Sequence, residues 1–145
     1  MRYCRGDSQN VDLTKDIVDD FFGKNDIYSI GRLLFSGGEP TLNGKILDYI
    51  VDKLIEKNIK VDMFMLGING LSYSEDMING LNKLKDYILS KRQAYKLNPG
   101  FLMVSQDQFH KDADIDVIKK LSELSYLSPV IKNNLKAKDI LPYGR

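Results

Sequence analysis

Short apolar runs of β-type residues alternate with longer stretches of helical periodicity, and this alternation constrains the fold more than any other feature of the chain. Three runs read as buried strands: residues 32–36 (RLLFS), 59–67 (IKVDMFMLG) and 101–105 (FLMVS). Each is short, apolar and close to Gly or Asn. Helical stripes lie around and between them. Leu13, Ile17, Val18, Phe21 and Phe22 mark the first, with Asp12 as its expected N-cap. Ile46, Leu47, Ile50, Val51, Leu54 and Ile55 mark a second, capped by Asn43. Met77, Ile78, Leu81, Leu84, Ile88 and Leu89 mark a third, opened by Ser74-Glu75-Asp76, whose acids suit the positive end of a helix dipole. Ile115, Ile118, Leu121 and Leu124 mark a fourth, behind Asp112 or Asp114. All of these stripes read as core packing, and so do Met63, Met65, Met77 and Met103.

Strands separated by helices imply right-handed βαβ crossovers and a parallel sheet with helices on its faces. An eight-unit barrel needs about 250 residues. A chain of 145 holds between four and five such units and cannot close one. The expected fold is therefore α/β: one domain over residues 1–145, a partial barrel incomplete at both ends. The first element is a helix, so the strand that should precede it would lie upstream of Met1. The sheet edge left there would favour addition of a partner chain or dimerisation.

Apolar residues at 43% and charged residues at 28% exclude a disordered or fibrous chain. No run approaches the roughly 18 apolar residues of a membrane span. The N-terminus lacks the apolar region of a secretory signal, which makes the cytoplasm the expected compartment. A net charge of +1 without a basic cluster argues against nucleic acid as a partner. The single cysteine cannot form an internal disulfide.

Parallel sheets bind ligands beyond the carboxyl ends of their strands. Three segments occupy such positions: Gly37-Gly38-Glu39-Pro40, Gly67-Ile68-Asn69-Gly70 and Gln106-Asp107-Gln108-Phe109-His110. Two glycines after a strand let the backbone turn sharply and approach a ligand. Pro40 biases Glu39 toward an extended conformation. Strand-end carbonyls and the Glu39 carboxylate would then form an acceptor-rich pocket suited to an ammonium group. The competing reading is a plain strand-to-helix turn with a solvated Glu. A phosphate-binding P-loop is excluded. Glu39 stands where its first Gly is required, and Ile46 stands where a Ser or Thr should bind magnesium. His110, the only histidine, is either a loop anchor or a group on the ligand rim, where Asp107 and Asp112 could orient it.

Gly37-Gly38-Glu39-Pro40 after an apolar strand resembles the GGEP motif of radical S-adenosylmethionine (radical SAM) enzymes. Arg2-Tyr3-Cys4 resembles the end of that family's C-x-x-x-C-x-(aromatic)-C motif. Asn69-Gly70 resembles its T-N-G segment, with Ile68 in place of Thr. Residues 104–110 (VSQDQFH) resemble the S-x-D-x-(aromatic)-H segment of one branch. The order and spacing agree with successive strand ends from Tyr3 to His110.

The resemblance implies a radical SAM oxidoreductase core that binds a 4Fe-4S cluster and SAM, and cleaves SAM reductively to start radical chemistry. By that resemblance Gly37, Gly38, Glu39 and Pro40 would hold the SAM amino group. Asn69, Ser105 and Asp107 would also bind the cofactor, and Cys4 would be a cluster ligand. The family uses three cysteines; this sequence has one, and Met1 stands at the position of the middle one. The alternative is a non-catalytic module that keeps the fold to bind a small molecule or a protein partner. The substrate, small molecule or peptide, is not legible.

Overall fold

A computed structural model describes residues 12–91, 98–105, 114–124 and 127–133, with the backbone alone for residue 105 and for 127–133. The elements run α1 (Lys15–Lys24), β1 (Ser29–Phe35), a 3-10 turn (Pro40–Asn43), α2 (Gly44–Glu56), β2 (Lys60–Ile68), α3 (Glu75–Lys91), β3 (Gly100–Ser105), α4 (Ile115–Ser122) and β4 (Leu127–Asn133). The strands form one four-stranded sheet in the order β1-β2-β3-β4, and every pairing is parallel. The chain is thus a mixed α/β protein built from strand–helix units. No described helix is long and apolar enough to cross a membrane.

Three of these strands match the expected runs, with shifted ends. β1 starts at Ser29 because Ser29 and Ile30 pair with Lys60 and Val61, which extends the ladder below the apolar run. β4 was not expected. Pro129 breaks the strand signal of its sequence, and proline is tolerated in a sheet only where its missing N–H is not needed. Ser128 pairs with Phe101 and Ile131 with Met103, so Pro129 falls in a register shift of the β3–β4 ladder, where its missing N–H is not called on.

Parallel strands in sequential order, with crossovers of the one hand that such units adopt, put the helices on one face of the sheet. Burial follows that face. Phe35, Phe64, Leu66, Ile68, Leu102 and Val104 are buried, and they share one core with Leu47, Val51, Leu54, Met77, Leu81, Leu84 and Ile88 of α2 and α3. On the other face Leu34 is 54% exposed, and Met63, Met65, Phe101 and Met103 are only half-buried. The expectation that every apolar stripe packs in the core therefore needs correcting. In α1 only Val18 and Phe22 are buried, and Leu13, Ile17 and Phe21 are exposed because α1 lies at the margin of the helix layer against α2. Leu89 and Ile115 are exposed as well.

The caps explain where the helices start. Thr14, not Asp12, caps α1, accepting from the Ile17 N–H. Ser74 Oγ accepts from Met77 N at 3.2 Å at the start of α3. Asp114 accepts from Asp116 N and Val117 N and caps α4. Asn43 sits at the cap position of α2 but makes no cap bond; its amide donates to Leu13 O at 3.1 Å instead. At the other end of α2 the chain turns through Asn58, whose φ is 55°. Asn58 N donates to Ile55 O at 3.0 Å and Ile59 N donates to Leu54 O at 2.9 Å, the bond pair of a Schellman turn. Asparagine tolerates the left-handed conformation that the turn requires.

Two glycines let α2 and α3 approach closely. A Cβ on Gly44 would collide with Ser74 Oγ and stand 2.6 Å from Met77 N. A Cβ on Gly80 would stand 2.8 Å from Leu47 Cδ2 and 2.9 Å from Asp48 Cα. Lys83 adds an ion pair across the same contact, 2.7 Å from Asp48 and 2.6 Å from Asp52. On the outer side, α1 meets α2 through Tyr49, whose hydroxyl donates to the Asp19 carboxylate at 2.8 Å, and through Lys53, 3.1 Å from Asp19.

Two outcomes are expected. Alanine normally stabilises a helix interior over glycine by about 1 kcal/mol. Gly80→Ala should instead destabilise by about 1–3 kcal/mol through the clash with α2, read as a lower urea midpoint at unchanged slope. The second outcome concerns pH. Donation from Tyr49, then the neighbouring Lys53, lowers the Asp19 pKa below 3.8. A lowered carboxylate pKa adds stability above the unfolded value, which is lost as pH falls through the folded one. Tyr49→Phe should therefore make the fall in urea midpoint below pH 3.8 shallower, with the larger loss of stability at neutral pH.

Candidate functional site

Register brings the ends of β1, β2 and β3 to one rim. Phe35 pairs with Leu66 at the end of β1, and Ile68 pairs with Val104 near the end of β3. Residues 36–40 and 69–71 therefore emerge side by side from parallel strands. Ser105 ends β3, where its backbone pairs with Asn133 of β4. Cys4, Asp107 and His110 lie outside the described residues, so the structure gives no geometry for them.

Gly37 turns the chain out of β1 with φ at 107°, a value that side-chain-bearing residues rarely adopt. Gly38 has a φ outside the left-handed region, and open space surrounds the Cβ position of both glycines. Glu39 follows with φ −139° and ψ 110°, the extended conformation favoured before a proline, and Pro40 opens the 3-10 turn. Gly70, at φ 72°, makes the corresponding reversal after β2.

The Glu39 side chain does not stand free in solvent. Its Oε1 accepts from Thr41 Oγ1 at 2.9 Å and, more distantly, from Thr41 N at 3.4 Å. Its Oε2 accepts from Asn69 N at 2.8 Å. Thr41 Oγ1 also meets Ser72 Oγ. The Asn69 side chain is used locally, its Oδ1 accepting from Leu71 N at 2.9 Å. Gly70 O accepts from Asp114 N at 2.8 Å, which joins the same rim to the start of α4. Tyr73 follows this loop. Burial, then the charges of Glu75 and Glu123, raise its pKa, and Lys120 Nζ lies 4.9 Å from its ring centre.

A cavity of ≈ 420 Å³ opens beside the β1 tip, within the size range of small-molecule pockets. Leu13, Leu33, Phe35, Ile46, Leu47 and Ile50 make its apolar wall, and Asp12, Ser36, Glu39 and Asn43 bring polar groups to it. Among the described residues no group of three or more His, Cys, Asp or Glu could hold a metal ion.

Sequence reasoning named Gly37, Gly38, Glu39, Pro40 and Asn69, and the fold brings these five together. It missed Thr41, Ser72 and the Gly70–Asp114 link. Nothing in the sequence separates Thr41 or Ser72 from ordinary loop residues. No protein-family model, curated protein or solved structure matches the chain.

The two adjacent glycines should respond differently to alanine. Gly37→Ala forces a side chain into the left-handed region and should cost about 1–2 kcal/mol in urea unfolding. Gly38→Ala should stay within about 0.5 kcal/mol of the parent.

Proposed function

We propose that this chain is a partial (β/α) barrel of the radical SAM type that binds S-adenosylmethionine at the tips of β1, β2 and β3. The sequential parallel strand order supports the barrel-like reading, since a doubly wound sheet would reverse its order at the ligand crevice. The observation that carries the binding reading is the rim itself: the glycine turn at 37–38 and the Asn69-Gly70 turn, tied together by Glu39 over the ends of neighbouring parallel strands. A zwitterionic sulfonium compound has an ammonium group that main-chain oxygens at Gly37, Gly38 and Glu39 can receive. Its adenosine end suits an apolar wall such as that of the adjoining cavity. Asn69 holds the second loop in shape, and Ser105 and Asp107 are the candidates for the ribose.

A 4Fe-4S cluster is held by cysteine thiolates. The sequence supplies one, Cys4, and the thioether of Met1 is no substitute for a second. These donors do not fit the cluster, and no reaction step is assigned to it. The same observation favours a second reading, a non-catalytic module that binds a small molecule or accepts a partner at the β1 edge.

Titration calorimetry with SAM on the full chain tests the proposal. One saturable site is expected, with weaker binding to 5′-methylthioadenosine, which lacks the ammonium group. Treatment with iron and sulfide should leave no stable four-iron chromophore after desalting. Absence of saturable heat with millimolar SAM would remove the binding reading.

A further inference from the structure

We propose that Glu39 is a positioning residue: its carboxylate locks the tips of β1 and β2 into a single rim and acts on a bound zwitterion through that rim, not by touching it. This rests on the SAM-binding reading for its effect on affinity, but the lock itself is a property of the free protein.

The bonding pattern carries the inference. An ionised carboxylate only accepts. Glu39 Oε1 faces the Thr41 hydroxyl at 2.9 Å and its N–H at 3.4 Å, and Oε2 faces Asn69 N at 2.8 Å. The two oxygens thus serve two different loops. The Thr41 side chain is buried, at 6% exposed. Because its hydroxyl hydrogen goes to a carboxylate that has none to give back, Ser72 must donate in the Thr41–Ser72 contact. A second line of bonds runs from Asn69 through Gly70 to Asp114, which caps α4. Glu39 links the β1 tip to this line directly, and Thr41 adds a second tie to the same loop through Ser72. Among the described residues its partners are protein donors, two of them main-chain N–H groups that only proline at those positions would remove.

This arrangement makes glutamine a poor replacement despite its equal size. One end of its amide is itself a donor and would face either Thr41 or the Asn69 N–H. Aspartate is one methylene too short to span both loops.

The test uses the full chain as wild type, Glu39→Gln, Thr41→Val and Thr41→Ser. In ¹⁵N–¹H spectra without ligand, Glu39→Gln should move the Asn69 amide resonance, and Thr41→Ser should leave it in place. By calorimetry, Glu39→Gln should weaken both SAM and 5′-methylthioadenosine, by about tenfold for the loss of one half-buried charge-assisted bond. Thr41→Val should weaken them in the same direction, less than additively with Glu39→Gln, and Thr41→Ser should restore wild-type affinity. Direct contact with the ammonium group predicts otherwise: Glu39→Gln then weakens SAM alone, and Thr41→Val leaves affinity unchanged. That pattern would overturn the proposal. If the wild type binds neither nucleoside, the SAM reading fails, and the ligand-free Asn69 shift still decides whether the lock exists.

Discussion

The close approach of α2 and α3 governs the rest of the molecule. Each helix follows directly on a strand-tip loop, so the distance between the two helices sets the distance between the two loops. Gly44, the first residue of α2, sits against Ser74 and Met77 at the start of α3, and Gly80 sits against Leu47 and Asp48. With side chains at either glycine the backbones would have to part, and Glu39 could no longer reach Asn69. Core packing beneath the helices and hydrogen bonding above the sheet are in this sense one constraint. Both depend on two positions that carry no side chain.

Much of the architecture was legible in the sequence, because period and punctuation are local signals. The runs at 32–36, 59–67 and 101–105 and the stripes of α2 and α3 could be read directly, and Ser74 and Asp114 announced the starts of two helices. What was not legible depends on neighbours. Ile17 and Phe21 fit a helical stripe as well as Val18 and Phe22 do, yet among the described elements α1 packs chiefly against α2 and buries two of the four. β4 was hidden by Pro129, whose strand-breaking character matters less at a register shift than within regular pairing. At the site, the glycines, Glu39 and Asn69 stood out because turn residues after strands have few other uses. Thr41 and Ser72 did not, since their roles exist only once two loops separated by a helix and a strand come together.

A carboxylate between a glycine pair and a proline invites the view that it greets a cationic ligand. The structure spends both of its oxygens on the protein's own N–H and O–H groups. A loop that presents main-chain oxygens to a ligand needs something to stop it collapsing onto itself, and a short, charge-assisted bond to a neighbouring strand tip supplies that restraint. The donors for an iron–sulfur centre are not in this sequence.

The turn at Asn58 has one more implication. Helix α2 ends at Glu56 and strand β2 begins at Lys60, so the crossover returns to the sheet with almost no spare chain. Ile59, in the middle of that return, is 1% exposed, and its carbonyl accepts from the Tyr87 hydroxyl at 3.0 Å. A connection so taut cannot absorb an inserted or deleted residue by bulging. Such a change would slide β2 along β1 by one step, exchange its inward and outward side chains, and carry Asn69 away from the carboxylate that holds it. The tether, as much as the hydrophobic pattern, fixes which residues arrive at the mouth.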